Sequence, residues 1–390
     1  MLVLFVLEAK LRGSTKQFAI IDEMIRTAGF VRNSCIRHWM DNRDVGQYDL
    51  SALCAVLARE YEWAKKLNSQ ARQASAERAW QSIKRFYDNC KNPSVKKKGY
   101  PKFKKSRSVE YKTTGYKLSE DRQSITFIDG FKAGSFRMIG AFNLKYYQLE
   151  QIKRVRVVRR ADGYYAQFCI DHDRLEEVKP TEQIIALDVG LMHFYTDNRG
   201  NKVDNPRHLK KSEKALKRLG RRVSRKVKGS KKRRKAINKL GRKHLKVSRQ
   251  RKDFAVKLAR CVVKSNDLVV FEALKVRNMV KHRHLAKSIS DAAWRQFFEW
   301  LEYYGIVFGK IVIAVPPQYT STECSLCHRI VKKSLSERTH ACECGCILDR
   351  DENASRNLLA KGLELLSRGG HSRINAQGHL NLCQISESKA

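Results

Sequence analysis

Between Tyr319 and Asn357 the chain reads YTSTECSLCHRIVKKSLSERTHACECGCILDRDENASRN, and no other stretch restricts its folding as much. Cys324 and Cys327 form one CxxC knuckle. Cys342 with Cys344, or Cys344 with Cys346, supplies a second pair about fifteen residues on. Four thiolates so spaced suit one structural, tetrahedral Zn²⁺. Polar residues flank these cysteines, which argues against unligated core thiols, while His328 and His340 read as free surface histidines. A metal-stiffened hairpin would hold the start of the following helix, where Asp349 and Asp351 sit, in a fixed place.

The charge balance names the kind of partner. Lys and Arg number 80 against 39 acidic residues, giving a formal net charge of +41 and a pI near 10.0. Solubility needs far less, so the expected partner is a polyanion. Neither a small-molecule substrate nor a protein oligomer is expected to be required. At 390 residues and 42% hydrophobic content the chain can fill two or three domains. The apolar head Leu2 to Leu7 is too short to span a bilayer and lacks a basic flank and a cleavage site. It reads as a strand of a cytoplasmic protein with no membrane partner. Of eleven cysteines, Cys35, Cys54, Cys90, Cys169 and Cys261 are scattered singly, as expected of buried thiols in a reducing compartment.

Apolar residues at Phe18, Ile21, Ile25, Ala28, Val31, Cys35 and Trp39 predict a first helix, with further helices over Leu50 to Leu67 and Ala71 to Phe86. Asp49 or Ser51 is the expected cap of the second. Lys91 to Arg107 reads as a basic linker carrying Tyr100 and Phe103. From Ser108 to His172 short alternating runs with turns predict a small β-barrel that also takes the N-terminal strand, so that the helices are an insertion. A new domain starts at IIALDVG, a strand buried on both faces, followed by LMHFYTD. Between Pro206 and Lys252 long basic helices are expected, broken near Lys228 to Ser230, with Leu216, Leu219, Val223 and Val227 beneath the charge. Such helices repel themselves without a polyanion, since Glu213 is nearly alone among the acids. LVVFEAL and IVIAVPP predict two more strands, Trp294 to Tyr304 an amphipathic helix, and the tail beyond Gly370, without periodicity, is expected to be mobile.

Three acids occupy comparable places: Asp188 on a buried strand, Glu272 at the end of another, and Asp351 in the first turn of the helix after the cysteines. Each alone has an ordinary explanation as a turn, cap or helix-dipole residue. Together they suit a ribonuclease H-like site, in which hard oxygen ligands hold two Mg²⁺ ions about 4 Å apart for in-line attack on a phosphodiester. Asp349, two residues before Asp351, is expected to face another side of the helix start.

With these motifs the chain resembles the TnpB family of transposon-encoded proteins, relatives of type V CRISPR effector nucleases. The matching segments are IIALDVGLMHFYTD, RRVSRKVKGSKKRRKAINKLGRKH, LVVFEALKVRNM, YTSTECSLC with ACECG, and LDRDENASRNLLAKG, with KKGYPKFK and IKRVRVVRRADGYYAQF upstream. The resemblance implies an α+β multidomain chain: a β-barrel (wedge) over 1–12 and 106–180, a helical recognition domain over 13–105, a RuvC-like α/β nuclease over 181–319 and 347–369, a zinc ribbon over 320–346, and a tail over 370–390. It implies an RNA-guided DNA endonuclease of a transposable element in a prokaryote, with a guide RNA and double-stranded target DNA as partners. Asp188, Glu272 and Asp351 match the catalytic acids that hold two Mg²⁺ or Mn²⁺ ions. Cys324, Cys327, Cys342 and Cys344 match the ligands of one zinc, with Cys346 as a competing fourth thiol. Nucleic-acid contacts are expected from Arg221, Arg222, Arg225, Lys226, Lys231, Lys232, Arg233 and Arg234, and from Lys102, Lys104 and Lys105. The chain departs from the family pattern at His328, where Gly is usual, at Ser355, where Ala is usual, and in a CxC replacing CxxC.

Overall fold

A computed structural model describes residues 3–140, 142–172, 175–334 and 337–368, which leaves the tail over 370–390 outside the described residues. The chain divides into two compact units, 1–174 and 175–390. None of the described helices is long and apolar enough to cross a membrane.

In the first unit β1 (Val3–Arg12) is followed by α1 (Thr15–Asp41), α2 (Gln47–Glu60), α3 (Glu62–Lys65) and α4 (Ser69–Lys91). The chain then returns to β2 (Ser108–Lys112), β3 (Tyr116–Leu118), β4 (Ser124–Phe127), β5 (Ser135–Ile139), β6 (Ile152–Arg160) and β7 (Gly163–His172). These strands form one sheet in the order β2-β6-β7-β1-β5-β4-β3, with β1 central although its partners lie beyond the helices. Six gaps of about 4.8 Å would set the edges of a flat sheet roughly 29 Å apart. Yet the edges β2 and β3 are joined by the three residues Thr113–Gly115, a link of at most about 14 Å. The sheet therefore curls. Across the seam the ring of Tyr111 stacks on Phe127 at 5.0 Å, and its hydroxyl donates to Asp129 at 2.9 Å. The expected barrel is thus a half-barrel, bent shut at a corner with no ladder between β2 and β3.

Helix α1 opens on a capping box, where Gln17 N–H donates to Ser14 Oγ at 3.2 Å and Ser14 N–H to Gln17 Oε1 at 2.8 Å. The helix expected over Leu50 to Leu67 is instead two pieces. Tyr61 leaves the helical region (φ −124°, ψ 100°), and Tyr61 and Trp63 pack on Phe30 at 5.2 and 4.6 Å. Aromatic packing outweighs continued helix at that point. Asp49, not Ser51, serves the helix start, accepting from Gly46 N–H at 2.7 Å. Of the scattered thiols only Cys35 and Cys54 are buried; Cys90 and Cys261 are exposed.

The second unit is built on a sheet ordered β10-β9-β8-β11-β12, comprising β8 (Ile184–Val189), β9 (His193–Asp197), β10 (Lys202–Asp204), β11 (Leu268–Glu272) and β12 (Ile311–Val315). β8, β9 and β10 run antiparallel, whereas β8, β11 and β12 are parallel. Helices α5 (His208–Ser224) and α6 (Lys231–Lys264) form the basic hairpin, followed by α7 (Val276–Met279), α8 (Ala286–Ala292) and α9 (Trp294–Phe308). Alternation along the strands assigns the faces. Leu187, Val189, Val269 and Phe271 meet α6 and α9, while Ala186, Leu268 and Val270 meet the last helix, α10 (Arg350–Ser367). Gly362 lets α10 approach closely, since a Cβ there would lie 2.5 Å from Val270 Cγ2. A two-stranded ribbon, β13 (Thr339–Ala341) with β14 (Ile347–Asp349), leads into α10.

Candidate metal centre and acidic site

The parity that buries Ala186 and Val270 under α10 also sets the direction of the residues two places further on, Asp188 and Glu272. The paired residues Leu187 and Phe271 put both acids side by side at the ends of adjacent parallel strands. Asp351 enters from the first turn of α10. Burial, then the charges of Glu272 and Asp351, push the Asp188 carboxyl well above the usual carboxylate range. Burial also raises Glu272, against a hydrogen bond from Thr320 Oγ1 at 3.4 Å and the charge of Lys361. The three carboxylates do not close to the 4.8 Å that unites the cysteine sets among the described residues.

Asp349 has a different use. Its Oδ1 accepts from Asp351 N–H at 2.8 Å as the cap of α10, and its Oδ2 takes the Lys202 ammonium at 2.6 Å. Asp197, another acid near the site, is spent on a turn, accepting from the N–H groups of Arg199 and Asn201 at 2.9 and 2.8 Å.

The thiols of Cys324, Cys327, Cys342 and Cys344 all lie within 4.8 Å of one another, so the set could hold one tetrahedrally coordinated metal ion. Two contacts, Cys324 to Cys344 at 3.7 Å and Cys327 to Cys342 at 3.5 Å, tie one knuckle to the other. Burial opposes ionisation of Cys324, but the N–H groups of Cys327 and Leu326, with His340 and Cys344, hold its thiol down to about 5. Each knuckle turns on a left-handed residue, His328 at φ 63° and Gly345 at φ 87°. This explains why Gly is usual at the first position. His328→Gly is expected to stabilise the protein by about 1 kcal/mol, read as a rise in melting temperature. His328 is exposed and pairs with Glu323 at 3.1 Å, as expected of a surface histidine. His340 is not: it is fully buried beside Cys324 and Cys346, because its β13 position faces inward.

Sequence reasoning missed the residues that lock the ribbon to α10. Asn353 Nδ2 donates to Glu323 O at 2.8 Å and its Oδ1 accepts from Ser325 N–H at 3.0 Å. Asn357 Nδ2 donates to Thr320 O at 2.9 Å and Glu323 O at 2.7 Å. Both side chains are buried. Two amides four residues apart on one helix face, amid apolar neighbours, were the available signal. Ser355, in place of the usual Ala, is buried and satisfied, donating to Thr196 O at 2.7 Å or Asp351 O at 2.9 Å.

Most of the expected nucleic-acid contacts are exposed, namely Arg221, Arg222, Arg225, Lys231, Lys232 and Arg234 on the hairpin, with Lys102, Lys104 and Lys105 on the linker; Lys226 is partly covered. Arg233 also serves the fold, since its guanidinium donates to Lys226 O at 2.8 Å at the end of α5. The hairpin is anchored by Asp291, which accepts from Leu209 and Lys210 N–H at 2.8 and 3.1 Å and from Arg251 Nε at 3.1 Å. The linker is not loose: Lys104 N–H and O bond Asn33 at 3.2 Å each, and Arg37 lies 5.0 Å from the Phe103 ring.

This α+β fold resembles that of Cas12f and Cas-phi chains. It superposes on a chain of a Cas12f1–sgRNA–target DNA complex with a TM-score of 0.55 at 15% identity, covering 88% of this chain and 83% of that one. On the mini-RNA-guided endonuclease CRISPR-Cas_phi3 the TM-score is 0.56 at 10% identity, over 93% and 92%. At such identities the likeness concerns the fold. Residues 167–283 match the OrfB_IS605 family, described as a probable transposase, and residues 294–358 match the Cas12f1-like TNB domain. A protein of Streptomyces pristinaespiralis named "Putative RNA-guided DNA endonuclease" is 36% identical over 211 residues, 54% of this chain and 52% of that one. The chain thus spans about half the length of that relative. InsQ of Escherichia coli (strain K12), named likewise, is 29% identical over 89% of this chain and 90% of its own. The resemblance read from the motifs therefore holds: the chain carries the OrfB_IS605 (TnpB) domain followed by a Cas12f1-like TNB domain.

Proposed function

We propose that this protein is an RNA-guided DNA endonuclease of a transposable element, cutting target DNA at one site formed by Asp188, Glu272 and Asp351. The observation that carries the reading is the convergence of these acids at the ends of β8, β11 and the start of α10, where burial, then the charges of Glu272 and Asp351, hold the Asp188 carboxyl well above the usual carboxylate range. The oxygens of the three carboxylates suit Mg²⁺ or Mn²⁺, which when bound polarises a scissile phosphate and lowers the pKa of its water. The chain's own residues hold the geometry. β8 and β11 set two acids in register, Asp349 caps the helix that bears the third, and the ribbon, with one Zn²⁺ on Cys324, Cys327, Cys342 and Cys344, holds that helix through Asn353 and Asn357.

On this reading the half-barrel with its inserted helices forms the wedge and recognition domains over 1–180, the nuclease domain spans 181–319 and 347–369, and 320–346 is the ribbon. Guide pairing supplies sequence specificity, so the protein needs backbone contacts, which a net charge of +41 provides. The work is cytoplasmic, on a guide RNA and a double-stranded DNA target. The test is copurification: RNA of defined sequence should accompany the full chain and direct Mg²⁺-dependent cutting. A chain that binds guided targets without cutting them is a targeting factor, and one that joins transposon ends without RNA is a transposase. Affinity for nucleic acid is expected to fall by roughly 10³-fold or more between about 50 and 200 mM salt, measured by filter binding. A flat response would contradict binding through phosphates.

A further inference from the structure

The ribbon holds five thiols for four places around a metal. Cys324 belongs to two gatherings within 4.8 Å, one with Cys327, Cys342 and Cys344, the other with His340 and Cys346. The second is wholly buried, with Cys346 at 9% exposure and Cys324 and His340 at 0%, whereas Cys344 is exposed. Cys346 is also tied to the first set through the backbone, since Cys342 N–H donates to Cys346 O at 3.0 Å and Gly345 N–H to Cys342 O at 3.0 Å. The tight turn puts residues 344 and 346 on either side of one glycine, and both thiols lie within 4.8 Å of the Cys324 thiol.

His340 adds an independent sign. The Lys333 ammonium donates to its Nδ1, which leaves the ring proton on Nε2, and that atom is buried with no hydrogen-bond partner. A buried N–H beside two sulfurs calls for a thiolate acceptor.

We propose that Cys346 is an interchangeable fourth ligand, able to replace Cys344 on the same zinc, and that His340 is a positioning residue whose Nε2–H donates to the shared Cys324 thiolate in both arrangements. This rests on the ribbon being a zinc site, which the wild-type metal content tests by itself: a full-length protein without zinc removes that premise. Given one zinc per chain in the wild type, Cys344→Ser and Cys346→Ser should each retain one. Each should also give the four-thiolate absorption spectrum when loaded with Co²⁺. Cys344→Ser/Cys346→Ser should lose the metal, as Cys324→Ser does. His340→Gln should keep the stoichiometry but bind zinc about 10- to 100-fold more weakly in competition with a chelator. Either single cysteine variant that loses zinc or becomes insoluble overturns the exchange, and so does a double variant that keeps it. An unchanged chelator competition for His340→Gln overturns its role.

Discussion

Asp188→Ala is expected to abolish Mg²⁺-dependent DNA cleavage, by about 10³-fold or more, while guide RNA still copurifies. Burial and then the charges of Glu272 and Asp351 act on its carboxyl, so on the proposed reading its loss removes one of the three acids that would hold the cations. Losing several kcal/mol of charge stabilisation corresponds to that fold-change. Single-turnover cleavage measures it, and retained cutting by the variant would sink the assignment. The same residue yields an opposite result in stability. An acid whose folded pKa is raised subtracts stability as pH climbs from the ordinary carboxylate range through its folded value. Without Mg²⁺ but with the zinc retained, Asp188→Asn removes that penalty. Its melting temperature in Mg²⁺-free buffer at neutral pH is therefore expected to exceed that of the wild type, and the gap should shrink as pH falls towards the carboxylate range. A purely structural role for Asp188 predicts a loss in both measurements.

Cys324→Ser is expected to strip the zinc and to destabilise the second unit by more than any surface substitution. Structural zinc sites in small domains bind with roughly 10 kcal/mol of apparent free energy that is also folding free energy. Part of that loss should travel. Asn353 and Asn357 bond the backbone at Thr320, Glu323 and Ser325, so an unfolded ribbon leaves two buried amides of α10 without partners. Asp351 stands two residues before Asn353 in the first turn of that helix. Cleavage should fall along with metal content, and cleavage unaffected by zinc loss would show that α10 holds its place without the ribbon. Metal analysis, thermal unfolding and cleavage on one preparation decide it.

The parts legible in the sequence were those with a short-range cause. Continuous apolar runs at Ile184 and Leu268 became central parallel strands, and the break at Lys228 to Ser230 became the turn between α5 and α6, with Ser230 accepting from Arg233 N–H at 3.1 Å. Where long-range contacts compete with local preference, reading failed. The second helix breaks at Tyr61 because two aromatics gain Phe30, and His340 is buried because the ribbon's β13 register turns it inward. The half-barrel's curl follows from a three-residue link between its two edge strands, which no strand pattern reveals.

By itself the sequence determined the residue types and their order: a polybasic chain, five clustered thiols, and three acids each placed at the end of a strand or the start of a helix. Those are properties of composition and spacing, which survive unfolding. Only the tertiary structure decided that the charges of Glu272 and Asp351 bear on Asp188, that Asp349 caps α10, and that two buried asparagines join ribbon to helix. The physical reason is that register and parity act across more than eighty residues of chain, from Asp188 to Glu272 and on to Asp351, and only strand pairing brings such distant positions to one end of a sheet.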